Sequence, residues 1–378
     1  MTFTHIAWNS PSATLETTSL LPTLVSGFVA SVKLKFWRQD LHLRYTWTIA
    51  RGSEDEAPVV LVEMTAADGT SGLGEASPIH RYDESVETVE TFCRRVDSAK
   101  LSFEDLPGSM KYLDTVAPGS MAAKCAFNIA LLDGAARRAQ KPIYDFLDLG
   151  FRENHHITSF TIGIDTPEMI RKKVLEAAPY PVLKVKVGVP EDKAIMAALR
   201  EVAPEKPLRL DANEGWKTKE EALKRLEWLA EDSKIQFVEQ PMPASTDPKD
   251  LAWLKQRSPL PLFGDESYHH AKDVAHCAEC FHGVNVKLAK TGGISGGFDA
   301  LSAARKAGLK TMIGCMIETS VLISAAAHLA ELCDYLDIDG NVLIKDDPYL
   351  GVTSEKGILS FANAPEQTGL RVSARAGK

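Results

Sequence analysis

No apolar run in this 378-residue chain approaches the ~18 residues that a transmembrane helix needs, which excludes that class of membrane protein. There is no lysine- and arginine-rich block with interleaved aromatics, and the formal net charge is −8, so a nucleic-acid partner is not expected. Cysteine is sparse. Its six copies, at 93, 125, 277, 280, 315 and 333, are scattered through a large chain, which suits a reduced, cytoplasmic protein better than a disulfide scaffold. Cys277 and Cys280 form a C-x-x-C with His282 nearby, but no second ligand pair stands at zinc-site spacing, so these residues read as structural. Residues 1–30 contain no lysine or arginine and so lack the charged start of an export signal, despite the small, apolar run Leu20–Ala30. They are expected to be an accessory extension.

What is present is ordinary globular material, with 44% hydrophobic and 25% charged residues, in a chain longer than one core usually serves. Ser31–Phe36 alternates Lys33 and Lys35 with Val32, Leu34 and Phe36. Val59–Thr65 is a second β-rich run, closed by Asp68-Gly69. From Val86 to Gln140 the pattern is helical, ending in the alanine-rich stretch Met121–Gln140, so residues 31–155 read as a small α+β domain.

Beyond His155, short β-branched runs alternate with amphipathic stretches. The strand candidates are Ser159–Ile164, Val182–Val187, Leu208–Asp211, Ile235–Glu239, Pro261–Asp265, Val284–Lys287, Thr311–Gly314 and Tyr335–Asp339. One connector opens with Thr218 and Glu221 at capping-box spacing and carries Leu223, Leu226 and Leu229 along one stripe. Another runs through Phe298 and Leu301 to Gly308. Eight strands with helical connectors favour a parallel (β/α) barrel over residues 156–340, with a doubly wound open sheet as the alternative. Residues 341–378 contain strand-like Gly357–Phe361 and are expected to pack back on the first domain.

A barrel presents its reactive side chains at the C-terminal ends of its strands, so functional residues should recur once per βα unit. Lys186, Asp211, Glu239, Asp265 and Lys287 end successive strand candidates, 25, 28, 26 and 22 residues apart. Three converging carboxylates repel one another unless a cation lies between them, and Mg²⁺ suits an all-oxygen donor set. Lys184 and Lys186, two apart on one strand, face the same way, so each disfavours protonation of the other. Burial and a metal would lower lysine pKa values further. With Lys287 on the far side, two lysines flanking a substrate carboxylate could take a proton from one face of its α-carbon and return one to the other.

These residues resemble the enolase superfamily, muconate-lactonizing subgroup. The matching motifs are Lys184-Val185-Lys186, Asp211-Ala212-Asn213, Glu239-Gln240-Pro241, Asp265-Glu266-Ser267 and Asn285-Val286-Lys287, within a match over roughly residues 31–370. The resemblance implies a modified (β/α)₇β barrel with an α+β capping domain, one Mg²⁺ on Asp211, Glu239 and Asp265, and Lys186 and Lys287 as bases. Lys184 would help hold the substrate carboxylate. Asp337-Ile338-Asp339 looks like the pair with which dipeptide epimerases bind an α-ammonium group, and Gly314–Glu318 with Ala325–His328 is similar to the same enzymes.

Thr161 and Glu318 are expected at the substrate as well. Thr46–Arg51 aligns with a capping loop whose arginine pairs with glutamate in enzymes acting on Ala-Glu, so L-Ala-D/L-Glu from cell-wall peptide turnover is the expected substrate. A second capping loop is placed at Gly74–Ser85, with His80 as a lid contact. The rivals are a cycloisomerase or o-succinylbenzoate synthase on the same barrel, and a solute-binding protein that lost catalysis. Homo-oligomerisation is left open.

Overall fold

The computed structural model describes residues 32–376. Residues 1–30, read above as an extension, lie outside them.

The described chain opens with a three-stranded antiparallel sheet of β1 (Lys33–Ile49), β2 (Gly52–Thr65) and β3 (Ser71–Ala76), in that spatial order. The first two strands are far longer than the sequence pattern indicates, and they replace the expected loop at Thr46–Arg51. Trp47 pairs with Glu54 and Ile49 with Gly52, beyond a register shift between His42 and Trp47, so Arg51 stands at the hairpin turn. This outer part escapes pattern reading because, apart from the half-buried Trp47 that packs on the core, it carries no apolar face. Ser53–Glu56 is exposed, and side-chain bonds such as Thr46 Oγ1 to Asp55 (2.7 Å) replace the usual apolar alternation. At the start of the second loop region, Gly74–Ala76 belongs to β3, and His80–Tyr82 forms a 3₁₀ turn.

Helices Val86–Arg95, Leu106–Val116 and Met121–Arg138 follow. The last of these lies directly on β3 because both sides are small at the crossing. A Cβ on Gly72 would stand 2.0 Å from the Ala130 carbonyl oxygen, and one on Gly74 1.9 Å from that of Ala126.

The second part is an eight-stranded parallel sheet. Its strands are β4 (Phe160–Ile162), β5 (Leu183–Lys186), β6 (Leu208–Asp211), β7 (Ile235–Glu239), β8 (Leu262–Gly264), β9 (Gly283–Lys287), β10 (Lys310–Gly314) and β11 (Tyr335–Asp337), paired in sequence order. The first and last strands meet through a Thr158–Leu336 bridge, in which the Ser159 N–H donates to the Leu336 carbonyl at 3.1 Å. The sheet therefore curls into a near-closed barrel, not an open doubly wound sheet.

Within this barrel Phe237 and Phe263 stack at 4.1 Å and Tyr335 meets both edge-on, with Met312 in the same cluster. These inward side chains plug the barrel one layer below the strand ends. The helix over Lys219–Leu229 is capped by Thr218, but the Glu221 carboxylate reaches back to the Lys217 N–H, one residue before the position a full capping box uses. The helix through Phe298 covers Ile294–Lys306, and Gly308 follows it at φ 77°. Gly357–Phe361 is not a strand. Lys356 and Gly357 both take positive φ (52° and 77°), which bends the chain and leaves only isolated bridges at Ile358 and Ser360.

Gly74→Ala drives a Cβ into helix backbone that has no slack, so it should destabilise the fold by about 1–3 kcal/mol. Urea unfolding measures this, and an unchanged midpoint would contradict the close crossing.

Candidate active site

Barrel register sets two rows of side chains at one end. Lys186 pairs with Asp211 and Asp211 with Glu239, while Gly314 stands between Lys287 and Asp337. Asp265 follows β8 directly. Carboxylate oxygens of Asp211, Glu239 and Asp265 all lie within 4.8 Å of one another, and all three residues are buried. Lysines surround them. Lys184 Nζ is 2.6 Å from Asp337, 2.8 Å from Glu239 and 3.2 Å from Asp211. Lys186 pairs with Asp211 at 2.7 Å, and Lys287 pairs with Asp265 at 2.7 Å.

Two further members of the cluster were given no role by the sequence, although Asn285 stands in a matching motif. Lys290, wholly buried, donates to the Asp265 carbonyl and Oδ1, each at 2.5 Å, and Asn285 Nδ2 donates to Glu239 Oε1 at 2.7 Å. The available signal for Lys290 was a second lysine one helical turn past Lys287 in an apolar, glycine-ended stretch.

The electrostatics follow from burial and pairing. Burial opposes ionisation of Asp211, but Lys186 and Lys184 outweigh it and hold the carboxyl below its usual range. Asp265 is held well below that range by Lys287 and Lys290, again against burial. Glu239 is pushed up to about 8 by burial and by Asp211. The lowering expected from sequence needs the metal as well as burial: where Lys184 and Lys287 face the carboxylates alone, the balance runs the other way. Burial does lower Lys184, but Asp337, Glu239 and Asp211 override it, and Asp265 does the same for Lys287, so both are raised. Close carboxylates outweigh burial and the neighbouring ammonium groups, so a basic lysine here needs additional positive charge among the carboxylates.

The donor set can accommodate that charge. Glu239 Oε2 and Asp265 Oδ2 are buried without a hydrogen-bond donor: an ammonium group approaches each, but not at hydrogen-bond angles. Three carboxylates with lone pairs left over, within 4.8 Å, fit a hard divalent cation.

The remaining expected residues are placed as follows. Asp337 accepts from the Ser159 hydroxyl at 2.6 Å as well as facing Lys184. Asp339 accepts from the Thr161 N–H (2.6 Å) and hydroxyl (3.1 Å), and burial together with Asp337 pushes it up to about 7. Glu318 is buried, accepts from the Met316 N–H, and is pushed up to about 8 by burial and the nearby Glu75. Arg51 is not a free fork. Its Nη1 is shared among Glu266 (2.7 Å), the Asn213 carbonyl (2.8 Å) and Glu214 (3.2 Å). His80 is exposed, whereas its neighbour Arg81 grips Glu214 through two hydrogen bonds of 2.9 and 2.8 Å. Among the described residues no second carboxylate, cysteine or histidine group of metal-binding geometry occurs, and Cys277 and Cys280 are buried free thiols.

A near-closed parallel barrel with carboxylates and lysines at successive strand ends defines a barrel protein of the enolase type. The chain belongs to the mandelate racemase/muconate lactonizing enzyme family of that superfamily. Residues 32–148 match the family's N-terminal domain, and residues 168–367 match the enolase C-terminal domain-like family. The chain is 67% identical over 91% of its length to the whole of the L-Ala-D/L-amino acid epimerase of Pedosphaera parvula. It is 38% identical over 90% of its length to 88% of the L-Ala-D/L-Glu epimerase of Bacteroides thetaiotaomicron. Its fold matches a crystal structure of the dipeptide epimerase from Cytophaga hutchinsonii with Mg and D-Ala-L-Val. That match has a TM-score of 0.85 and 27% identity, and it covers 92% of this chain and 96% of the other.

Lys290→Met strips a buried carboxylate of one of its two closest cations and should lower stability by about 3–5 kcal/mol. Urea unfolding in EDTA reads this directly, and a loss below 1 kcal/mol would show that Lys290 does not carry Asp265.

Proposed function

We propose that this protein is a Mg²⁺-dependent dipeptide epimerase that inverts the Cα of the C-terminal residue. The carrying observation is the pairing of Lys186 and Lys287 with different carboxylates of one cluster, from strands β5 and β9 with three strands between them. The epimerase relatives support the reaction class. Asp211, Glu239 and Asp265 are the residues that would hold the ion. Mg²⁺, when bound there, supplies positive charge to a substrate carboxylate and makes the adjacent Cα–H more acidic.

The protein's own groups do the rest. One lysine, as the neutral amine, takes the Cα proton from one face, leaving an enediolate. The other, as ammonium, returns a proton to the opposite face. Lys184 lends its charge to the substrate carboxylate. Asp337 and Asp339, the latter oriented by Thr161, receive the α-ammonium group, for which a cycloisomerase would have no use. Glu318 lines the same end of the barrel. Residues 31–155 act as the cap, since Arg51 and Arg81 reach Glu266 and Glu214 on the barrel loops. Arg51, anchored through Nη1, would offer its remaining N–H groups to the substrate's second side chain. L-Ala-D/L-Glu is therefore the first substrate to test, and the name of the Pedosphaera relative supports other second residues after L-Ala.

In D₂O with Mg²⁺, an accepted dipeptide should lose its C-terminal Cα proton signal by NMR and EDTA should stop the loss; no exchange across a broad dipeptide panel would sink this reading. Lys186→Ala and Lys287→Ala should each abolish epimerisation, with exchange from a single stereoisomer surviving in one variant. Asp339→Asn should raise KM for dipeptides at least tenfold, and an unchanged KM would remove it from the ammonium site.

A further inference from the structure

One charged side chain inside the barrel has no part in the chemistry described above. Arg209, two residues before Asp211 on β6, points to the same face and stands in register beside Lys184 and Phe237, one layer below the site. It is only 5% exposed. Its guanidinium carbon lies 4.9 Å from the Tyr335 ring centre and 5.9 Å from that of Phe237. Both of its hydrogen bonds go to uncharged oxygens: Nε donates to Gln236 Oε1 at 3.1 Å, and Nη1 donates to the Leu336 carbonyl at 2.6 Å. Burial works against this charge, and the Asp337 carboxylate comes first among the groups that sustain it.

The Leu336 carbonyl stands where the barrel closes. Strand β11 runs only from Tyr335 to Asp337 and meets the β4 side through the isolated Thr158–Leu336 bridge. Across that seam the carbonyl accepts from the Ser159 N–H at 3.1 Å, and from within the barrel it accepts from Arg209. The peptide that carries it also carries the Asp337 N–H. The seam runs through the ammonium site, since Asp337 accepts from the Ser159 hydroxyl and Asp339 from Thr161. Rotation of the 336–337 peptide therefore moves Asp337 relative to Asp339, while the lysines and metal-site carboxylates on the other strands keep their places.

Resting on the dipeptide reading above, we propose that Arg209 is a positioning residue for the α-ammonium site: from inside the barrel it pins the Leu336 carbonyl, so that Asp337 stays aimed at the substrate's ammonium group beside Asp339. A guanidinium suits this task, because a charged donor holds a carbonyl more firmly than a neutral one. The faces of Phe237 and Tyr335 hold the guanidinium in turn.

The test uses two ligands that differ only in the ammonium group. One is an accepted L-Ala dipeptide, followed by Cα exchange in D₂O, and the other is its N-propionyl analogue, measured as a competitor of that exchange. In Arg209→Met the KM for the dipeptide should rise about tenfold, while kcat and the Ki of the propionyl compound each change less than about threefold, because only the ammonium contact is lost. An unmoved KM overturns the proposal, and so does an equal rise in KM and Ki, which is what general loosening of the barrel gives. Should that variant fail to fold, Arg209→Lys keeps a cation in the barrel but ends short of the Leu336 carbonyl. KM should then rise about threefold with Ki unmoved, and an unmoved KM is again contrary. Either contrary result in an enzyme that exchanges the dipeptide contradicts the positioning role alone, whereas no exchange by the natural enzyme with any dipeptide removes the epimerase reading and this inference together.

Discussion

The structure depends on a buried exchange of charge at the mouth of the barrel, in which Asp211, Glu239, Asp265 and Asp337 face Lys184, Lys186, Lys287 and Lys290 at the strand ends. Any one of these ions alone would cost several kcal/mol to bury, so each is tolerable only because the others are held in place. Strand register supplies that constraint. Position 186 lies beside 211 and 211 beside 239, so a slip of one residue anywhere would turn a carboxylate into the helical layer. Below the ions, the stacked Phe237 and Phe263 exclude water from the floor, which strengthens each pairing above them.

The same economy joins the N-terminal sheet to the barrel. Glu214 receives Arg51 and Arg81 from two separate segments, and Glu266, the residue after Asp265, receives Arg51. Glu75 of β3 caps the helix Ser320–Ala327 through the N–H groups of Thr319 and Leu322. The loops that carry these acceptors take unusual backbone conformations, with Asn213, Glu214 and Gln240 all at positive φ. Gln240 shows what holds such a turn: its amide oxygen accepts from the N–H groups of Asp265 and Ser267, and its amide nitrogen donates to Met242 and Ser267.

Much of the barrel was legible because period and spacing are one-dimensional properties. Eight short runs became eight strands, four of them trimmed by two or three residues and the others within one residue of their expected bounds, and the five charged residues at their ends meet in space. The outer β1–β2 hairpin was not legible because, Trp47 apart, it packs little against the core, so no alternation marks it. Arg51 shows a different limit: its residue type announces a carboxylate partner, but not that Glu266, 215 residues further on, would be that partner. Lys290 was hidden because a buried lysine and a surface lysine look alike until the oxygen it meets is known. The expectation of depressed lysine pKa values counted burial, the neighbouring lysines and a metal but not how closely each carboxylate would approach, so for Lys184 and Lys287 it rests on the metal.

The central claim is that these carboxylates pass from the lysines to a divalent cation, and that the lysines become usable bases when they do. Carbon-13 NMR of lysine Cε, with Lys287 assigned by comparison with Lys287→Arg, tests this most directly in a pH titration with and without saturating Mg²⁺. The account predicts that Lys287 titrates above the ordinary lysine range without the ion, as its pairing with Asp265 requires, and falls by at least two pH units when Mg²⁺ is bound. A Lys287 titration that Mg²⁺ leaves unmoved would contradict it.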